Sequence, residues 1–179
     1  MNLPNKITIF RVCMIPIFLV LLLVPGIPCG NYFATAVFVI ACLSDALDGY
    51  LARKHNLVTN FGKFMDPLAD KLLVCSALIC FVELSYMPAW IVVVIIAREF
   101  IISGFRLIAS DNGVVIAASY WGKFKTIAQM IACILLIVQL PFGWAEVVEQ
   151  IFIYLSLALT VISLAEYIWK NKNVLKEQK

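Results

Sequence analysis

Four aspartates stand close together inside two apolar stretches of this 179-residue sequence. Asp45 and Asp48 lie at the end of the first stretch, and Asp66 and Asp70 lie at the start of the second. A charged side chain inside a membrane span costs at least about 2.5–3.5 kcal/mol to insert, so such residues are functional candidates. Ligation by carboxylates alone favours hard cations such as Mg²⁺ or Mn²⁺. The residue types therefore predict a site for divalent cations.

The spacing of the aspartates predicts where they lie on their helices. Asp45 and Asp48 are three residues apart and Asp66 and Asp70 are four apart, so each pair lines one helical face. A short connection, about residues 54–61, makes the two helices antiparallel neighbours. Residues at equal depth in such a hairpin have numbers with a constant sum. The sum is 115 for Asp45 with Asp70 and 114 for Asp48 with Asp66. We therefore expect a shallow cup of four carboxylates.

Two small residues and an arginine follow the first pair of aspartates. Gly49 and Ala52 remove bulk where a ligand must lie against the helix, and Arg53 offers a fork of donors to a phosphate. The alternative is that the aspartates only form structural ion pairs with Arg53, Lys63 and Lys71. Such pairs explain one or two acids in a span, but not four on facing stripes. The pattern favours a two-cation site that clamps a pyrophosphate and stabilises the charge on its leaving oxygen.

The composition predicts which elements position these residues. Hydrophobic residues make up 63% of the chain and charged residues 14%, with a mean hydropathy of +0.97. Soluble proteins are only about 45–50% apolar, so we expect an all-α integral membrane bundle. Segments of roughly 20 apolar residues can cross a bilayer as helices. Six such spans are predicted, at about 12–25, 32–52, 64–82, 88–108, 120–140 and 147–168.

The basic residues predict the orientation of the bundle. Apart from those inside the third and fourth helices, they fall in residues 1–11, 53–63, 106–125 and 170–179. Loops on the other side have none, so the positive-inside rule puts both termini in the cytoplasm and opens the cup to the cytoplasm. We expect a single multi-pass domain, residues 1–179, in the cytoplasmic (plasma) membrane. Nucleic acid is a poor partner because no basic helix stands clear of the bilayer.

The arrangement of these residues resembles the signature of the CDP-alcohol phosphotransferase family. Residues 45–53 read D-x-x-D-G-x-x-A-R and residues 62–70 read G-x-x-x-D-x-x-x-D, which is similar to that signature at every fixed position. Residues 4–11 resemble the N-terminal segment that lies on the cytidine side in this family. Residues 97–100 and 122–126 resemble its bacterial branch that uses glycerol 3-phosphate. The similarity extends over most of the chain.

The resemblance implies roles for the residues of the cup. Asp45, Asp48 and Asp66 would hold two metal ions, Mg²⁺ or Mn²⁺. Asp70 would also lie at the metal site and act as the general base that takes the proton of the acceptor hydroxyl. The resemblance further implies a homodimer of six-helix chains that acts on CDP-diacylglycerol among membrane lipids. The residues that it assigns to the CDP part of the substrate are Asn5, Thr8, Gly49, Ala52 and Arg53.

Four basic residues are candidates for the acceptor phosphate: Arg98, Arg106, Lys123 and Lys125. Arg98 and Arg106 are eight residues apart, so they lie within about 80° of each other around the helix axis. The alternative for Arg98 is an ion pair with Glu99 or with an aspartate of the cup, and the alternative for the two lysines is a role as positive-inside anchors. Four cations suit a dianionic acceptor. Together with the resemblance, they predict transfer of the phosphatidyl group of CDP-diacylglycerol to glycerol 3-phosphate.

Other functions are compatible with parts of the pattern. The same chemistry could use serine, inositol phosphate or phosphatidylglycerol as acceptor. A cation transporter could also use paired carboxylates within the membrane, but transporters generally hold their site near the midplane between repeats. The predicted cup is near one face, and the sequence has no repeat. A purely structural membrane subunit leaves the four aspartates without an explanation.

Overall fold

The fold is all-α, as the sequence predicts. A computed structural model describes the backbone of residues 3–54, 60–111 and 119–171, and side chains within residues 7–44, 68–69, 71–109 and 119–171. The described backbone contains six helices and no strand. The helices are α1 (Leu3–Leu23), α2 (Gly30–Lys54), α3 (Asn60–Glu83), α4 (Ala89–Asp111), α5 (Tyr120–Val138) and α6 (Gly143–Lys170).

Helix α1 begins at Leu3, well before the apolar span expected from about residue 12. The difference arises because the expectation followed apolarity, whereas a helix needs only continuous backbone hydrogen bonds. The buried residues of α1 include Thr8, Arg11, Ile15 and Phe18. Their spacing of three, four and three puts them on one face. The polar residues Thr8 and Arg11 therefore share a packing face with the apolar span.

Helix α3 ends in a turn that satisfies its last carbonyl groups. The Tyr86 N–H donates to the Phe81 carbonyl at 2.8 Å, and the Ser85 N–H donates to the Val82 carbonyl at 3.0 Å. Ser85 has a φ of 60°, the left-handed conformation that this paired arrangement requires at the residue after the helix. The chain thus reverses just before Pro88, between the spans expected at about 64–82 and 88–108.

Helices α1 and α2 form a closely packed hairpin. The rings of Phe18 and Phe38 lie 5.8 Å apart between centroids, and both side chains are fully buried. At the first residue of α2, a Cβ on Gly30 would lie 2.8 Å from the carbonyl oxygen of Leu21. Glycine is therefore required at this point for the backbones to approach so closely.

The helices fall into two compact units. The first comprises residues 1–86 and 134–140, and in it α1 packs against α2 and α3, which also contact each other. The second comprises residues 87–133 and 141–179, and in it α4 packs against α6. The expected single domain over residues 1–179 stays a prediction.

Helices α4 and α6 run parallel within the second unit. Arg98 Nε lies 3.2 Å from Ser163 Oγ, and the rings of Phe105 and Tyr167 meet edge to face with centroids 6.0 Å apart. The paired residues differ in number by 65 and 62, and only a parallel pair keeps this difference nearly constant. The Arg98 level and the Phe105 level are therefore successive layers of one interface.

Helix α6 buries hydroxyl groups and exposes apolar side chains. Its buried residues include Ser156, Thr160 and Ser163, whose hydroxyls donate to carbonyl oxygens of their own helix. The exposed large side chains of α6 are Trp144, Val147, Ile151, Tyr154, Leu155, Val161, Ile162, Ile168 and Trp169. This distribution is the reverse of that in a water-soluble helix, and small hydroxyl residues at helix contacts are typical of membrane bundles.

Two of the described helices, α5 and α6, are long and apolar enough to cross a bilayer. Shorter apolar stretches occupy residues 7–23 and 30–44. The exposed Trp144 and Trp169 stand 25 residues apart in α6, or about 37 Å along a helix, which reaches both interfaces of a bilayer. The architecture is that of a helical membrane protein, while six complete crossings and the side on which the termini lie stay predictions.

The close approach at Gly30 yields a test of the hairpin. Gly30→Ala should lower the thermal unfolding temperature in detergent, because the new Cβ meets a backbone carbonyl and overpacking costs about 1–3 kcal/mol. The control is Gly104→Ala in α4, where a Cβ would meet nothing within 4 Å. That change should leave the temperature unchanged or raise it. Equal unfolding temperatures for Gly30→Ala and the wild type would contradict the hairpin packing.

Candidate functional site

Arg98 lies inside the second compact unit and is held at two of its nitrogens. Its Nη1 donates to Glu99 Oε1 at 2.9 Å, and its Nε donates to Ser163 Oγ at 3.2 Å. The side chain is only 9% exposed. The ion pair with Glu99 is thus present, as one of the two sequence interpretations expected, but the arginine is not in solvent. A buried guanidinium held rigid in this way is suited to binding an anion.

Lys125 is also buried, and it pairs with the same carboxylate oxygen. Its Nζ donates to Glu99 Oε1, and its side chain is 3% exposed. A lysine that served only as a positive-inside anchor would be exposed at the interface, so the burial of Lys125 disfavours that alternative. The trio of Arg98, Glu99 and Lys125 carries a net charge of +1 from its formal charges. We name these three residues the basic trio.

Gly122 makes room for the basic trio. A Cβ at this position would lie 3.2 Å from Arg98 Nη2 and 3.4 Å from Ser119 Oγ. Ser119 in turn accepts a hydrogen bond from the Gly122 N–H at 3.1 Å, just before α5 becomes regular. The start of α5 therefore fits against the third nitrogen of the guanidinium.

The other two acceptor candidates are exposed. Arg106 lies two turns beyond Arg98 in α4. Lys123 places its Nζ 5.4 Å from the centre of the Tyr120 ring, a cation–π contact that suits a lysine at a membrane interface. The structure therefore brings Arg98 and Lys125 together through Glu99, and it leaves Arg106 and Lys123 exposed.

The four aspartates lie on the backbone of two neighbouring helices in the first unit. Asp45 and Asp48 belong to α2, and Asp66 and Asp70 belong to α3. Their side chains lie outside the described residues. So do the side chains of the other candidates in this region, namely Asn5, Gly49, Ala52 and Arg53. Among the side chains that the structure does describe, no group of three or more His, Cys, Asp and Glu could hold a metal.

The register of α2 and α3 can still be compared with the predicted cup. The buried stripe of α2 includes Phe38 and Ala41, and Asp45 and Asp48 follow Ala41 by four and seven positions. These intervals continue one helical stripe. In α3 the buried Leu73 follows Asp66 and Asp70 by seven and three positions, which are again stripe intervals. A set of four carboxylates at these positions on adjacent helices fits hard divalent cations.

Arg11 is a buried charged residue to which the sequence analysis gave no role beyond its place at the end of the segment 4–11. It is 1% exposed, on the face of α1 that also holds Phe18. In the α1–α2 hairpin, Phe18 and Phe38 touch and their numbers sum to 56. Arg11 and Asp45 give the same sum, so the register sets them at the same depth to within about one helical turn. The sequence alone could have identified it, since an arginine inside an apolar run is a functional candidate.

Thr8, expected on the CDP side, is fully buried on the same face of α1. With Asp48 it again gives the sum of 56, so it lies about one turn nearer the start of α1 than Arg11. A buried hydroxyl at this depth is compatible with the expected role.

These features define a class of protein: a helical membrane chain with acids on one pair of helices and a buried basic trio elsewhere. The model of the CDP-alcohol phosphatidyltransferase family matches residues 1–162. The chain belongs to this family, as its sequence signature indicated.

Curated relatives are similar over almost their whole length. A CDP-diacylglycerol–glycerol-3-phosphate 3-phosphatidyltransferase of Bacillus subtilis is 47% identical, over 98% of this chain and 97% of the relative. A protein of the same name from Haemophilus influenzae is 40% identical, over 97% and 95%. Another from Rickettsia bellii is 36% identical, over 90% and 91%.

The different exposure of the two α5 lysines can be measured directly. A water-soluble amine-acylating reagent should modify Lys123 quickly and Lys125 slowly, because a local opening that costs only about 1.4 kcal/mol already slows a reaction tenfold. Mass spectrometry of the digested protein gives both rates from one sample. Detergent-denatured protein, in which both lysines should react alike, is the control. Equal rates in the folded protein would mean that the basic trio does not form.

Proposed function

We propose that this chain transfers the phosphatidyl group of CDP-diacylglycerol to glycerol 3-phosphate, with phosphatidylglycerophosphate and CMP as products. The observation that carries the proposal is the near-complete match, at 36–47% identity, to relatives named for this reaction. The basic trio supports the choice of acceptor. Its net positive charge in a buried position suits a phosphate dianion and does not suit a neutral alcohol such as serine.

The reaction is a displacement at phosphorus. The hydroxyl oxygen of glycerol 3-phosphate forms a bond to the phosphorus that bears diacylglycerol, and the bond from that phosphorus to the oxygen of CMP breaks. In our proposal Asp70 accepts the hydroxyl proton as the new bond forms. CMP keeps the electrons of the broken bond as a phosphate oxygen.

We assign the metal ligands to Asp45, Asp48, Asp66 and Asp70 and expect two Mg²⁺ ions, with Mn²⁺ as an alternative. The fit rests on the chemistry of four carboxylates at stripe positions on adjacent helices. Bound there, divalent cations neutralise the negative charge of the pyrophosphate and of the leaving group. Asn5, Thr8, Gly49, Ala52 and Arg53 are assigned to the CDP part of the substrate.

We assign the binding of the acceptor phosphate to Arg98 and Lys125. Arg106 and Lys123, which are exposed, are assigned to its attraction towards the site. The first two are buried and share a carboxylate, so they present a fixed positive site. The exposed pair attracts the dianion electrostatically and contributes less binding energy, because water screens it.

The same proposal includes the membrane in which the chain lies, its orientation there and its oligomeric state. We place the chain in the plasma membrane with six crossings, both termini and the active site in the cytoplasm, where the basic residues predict them. We also expect a homodimer, in line with the family resemblance. The exposed apolar side chains of the described helices support a lipid environment.

The choice of acceptor is tested with purified protein, CDP-diacylglycerol and a panel of labelled acceptors. Glycerol 3-phosphate should release CMP and give a lipid product, whereas serine, inositol phosphate and phosphatidylglycerol should not. Arg98→Ala should raise the KM for glycerol 3-phosphate about 10- to 100-fold, the effect of losing one charge-assisted contact. The KM for CDP-diacylglycerol should stay nearly constant. Turnover with serine and none with glycerol 3-phosphate would refute the proposal.

Removal of the metal tests the assignment of the aspartates. EDTA should abolish turnover, and added Mg²⁺ or Mn²⁺ should restore it. Asp45→Asn should lose most turnover in Mg²⁺, because a neutral amide is a weaker ligand. Full activity in metal-free buffer would exclude the two-cation site.

The variant Asp70→Asn tests whether Asp70 acts as the general base or mainly as a metal ligand. This variant should still bind CDP-diacylglycerol but lose turnover by about two or more orders of magnitude. A parallel loss of binding and turnover would instead make Asp70 mainly a metal ligand.

A further inference from the structure

Glu99 has no role in the assignments above, yet it lies at the centre of the basic trio. Its Oε1 accepts hydrogen bonds from both Arg98 Nη1 and Lys125 Nζ. Arg98 is its neighbour in α4, whereas Lys125 is 26 residues away in α5. A single carboxylate oxygen therefore sets the distance between the two cations that we assign to the acceptor phosphate.

The burial of the trio makes this carboxylate necessary. The exposed fractions of the side chains are 9% for Arg98, 19% for Glu99 and 3% for Lys125. Two cations so close in a medium of low dielectric constant repel each other strongly. The carboxylate between them offsets that repulsion and still leaves one positive charge in excess. The excess charge can attract an anion, and the carboxylate keeps its two donors converging on one point.

The remaining nitrogens of Arg98 are fixed from two other sides. Nε donates to the Ser163 hydroxyl, which itself donates to the Thr160 carbonyl at 3.0 Å and so is held in orientation. Nη2 lies against Gly122, which has no Cβ to displace it. The guanidinium thus has a defined plane before any ligand arrives.

We infer that Glu99 is the positioning residue of the acceptor phosphate site, and that Ser163 and Gly122 complete the setting of Arg98. This inference rests on the proposed function, because it takes glycerol 3-phosphate as the anion. Cations that are already in place lose little freedom when the anion binds, so their fixation strengthens binding. Glu99 acts through Arg98 and Lys125 and does not itself touch the substrate.

A competing role for Glu99 predicts the opposite sign. If the carboxylate occupied the place of the incoming phosphate, its removal would strengthen acceptor binding and lower the KM for glycerol 3-phosphate. If Glu99 positions the cations, its removal raises that KM. The direction of the change in KM therefore separates the two roles.

The main experiment compares Glu99→Gln with the wild type in two substrate titrations at fixed Mg²⁺. Glutamine keeps the shape but loses the charge, so the KM for glycerol 3-phosphate should rise about 10-fold or more, the effect of losing charge-assisted bonds. The KM for CDP-diacylglycerol should change by less than about 3-fold, the scale of a surface charge. The control is Glu146→Gln, which removes an exposed carboxylate from the first turn of α6. It should leave both KM values unchanged.

A second pair of variants keeps all charges and guards against misfolding of Glu99→Gln. Ser163→Ala removes the acceptor of Arg98 Nε and should raise the KM for glycerol 3-phosphate about 3- to 30-fold, since a buried donor loses its partner. Ser156→Ala is the matched control. Its hydroxyl is equally buried and also donates to its own helix, at the Ile153 carbonyl, but it makes no contact with Arg98 among the described hydrogen bonds. It should leave the titration unchanged.

The outcomes distinguish the inference from the function on which it rests. A wild-type protein that makes no lipid product from glycerol 3-phosphate refutes the proposed function. An active wild type with an unchanged or lowered acceptor KM in Glu99→Gln, or an unchanged one in Ser163→Ala, refutes the positioning role alone. Equal increases in both substrate KM values would mean a general loss of structure and would also refute it.

Discussion

A charge inside an apolar helix bundle must be balanced by another group of the protein, and this constraint governs the structure described here. In the second unit, Glu99 balances Arg98 and Lys125 with one oxygen atom. In the first, the buried Arg11 stands at the register of Asp45. Because the desolvation of a charge costs several kcal/mol, helices that carry such residues can pack only in registers that bring the charges together.

The same constraint explains why small and hydroxyl residues occur where the helices meet. Ser163 lies on the buried face of α6 and provides the oxygen that Arg98 Nε needs. Gly122 and Gly30 leave out a Cβ at two close approaches, one beside a guanidinium and one beside a backbone carbonyl. In a bilayer the apolar side chains gain nothing from leaving lipid for the bundle, so close packing and polar contacts supply the stability.

These features relate the fold to the chemistry of the proposed reaction. The acidic positions belong to the first unit, and the basic trio belongs to the second. The proposed reaction would use both kinds of group: carboxylates to hold cations for a pyrophosphate, and fixed cations for an acceptor phosphate. The groups of the basic trio are held in place by one another and by Ser163, because a low-dielectric medium strengthens every electrostatic interaction and penalises every unbalanced one.

The sequence by itself determined the class of the protein, the approximate bounds of the six helices in the described backbone, and the four aspartates at stripe intervals. These are local properties: hydropathy, turn residues and residue spacing depend on neighbours in the chain. The aspartate roles stay predictions, since their side chains lie outside the described part of the chain.

Only the tertiary structure decided that Lys125 is buried, that Glu99 joins it to Arg98, and that Ser163 holds the guanidinium. Those partners are 26 and 65 residues apart, and spacing along one helix carries no information about which distant helix supplies a partner. The observed start of α1 differs from the expected one for a related reason. Hydropathy locates only the apolar part of a helix, whereas tertiary packing decides whether Thr8 and Arg11 can be buried with it.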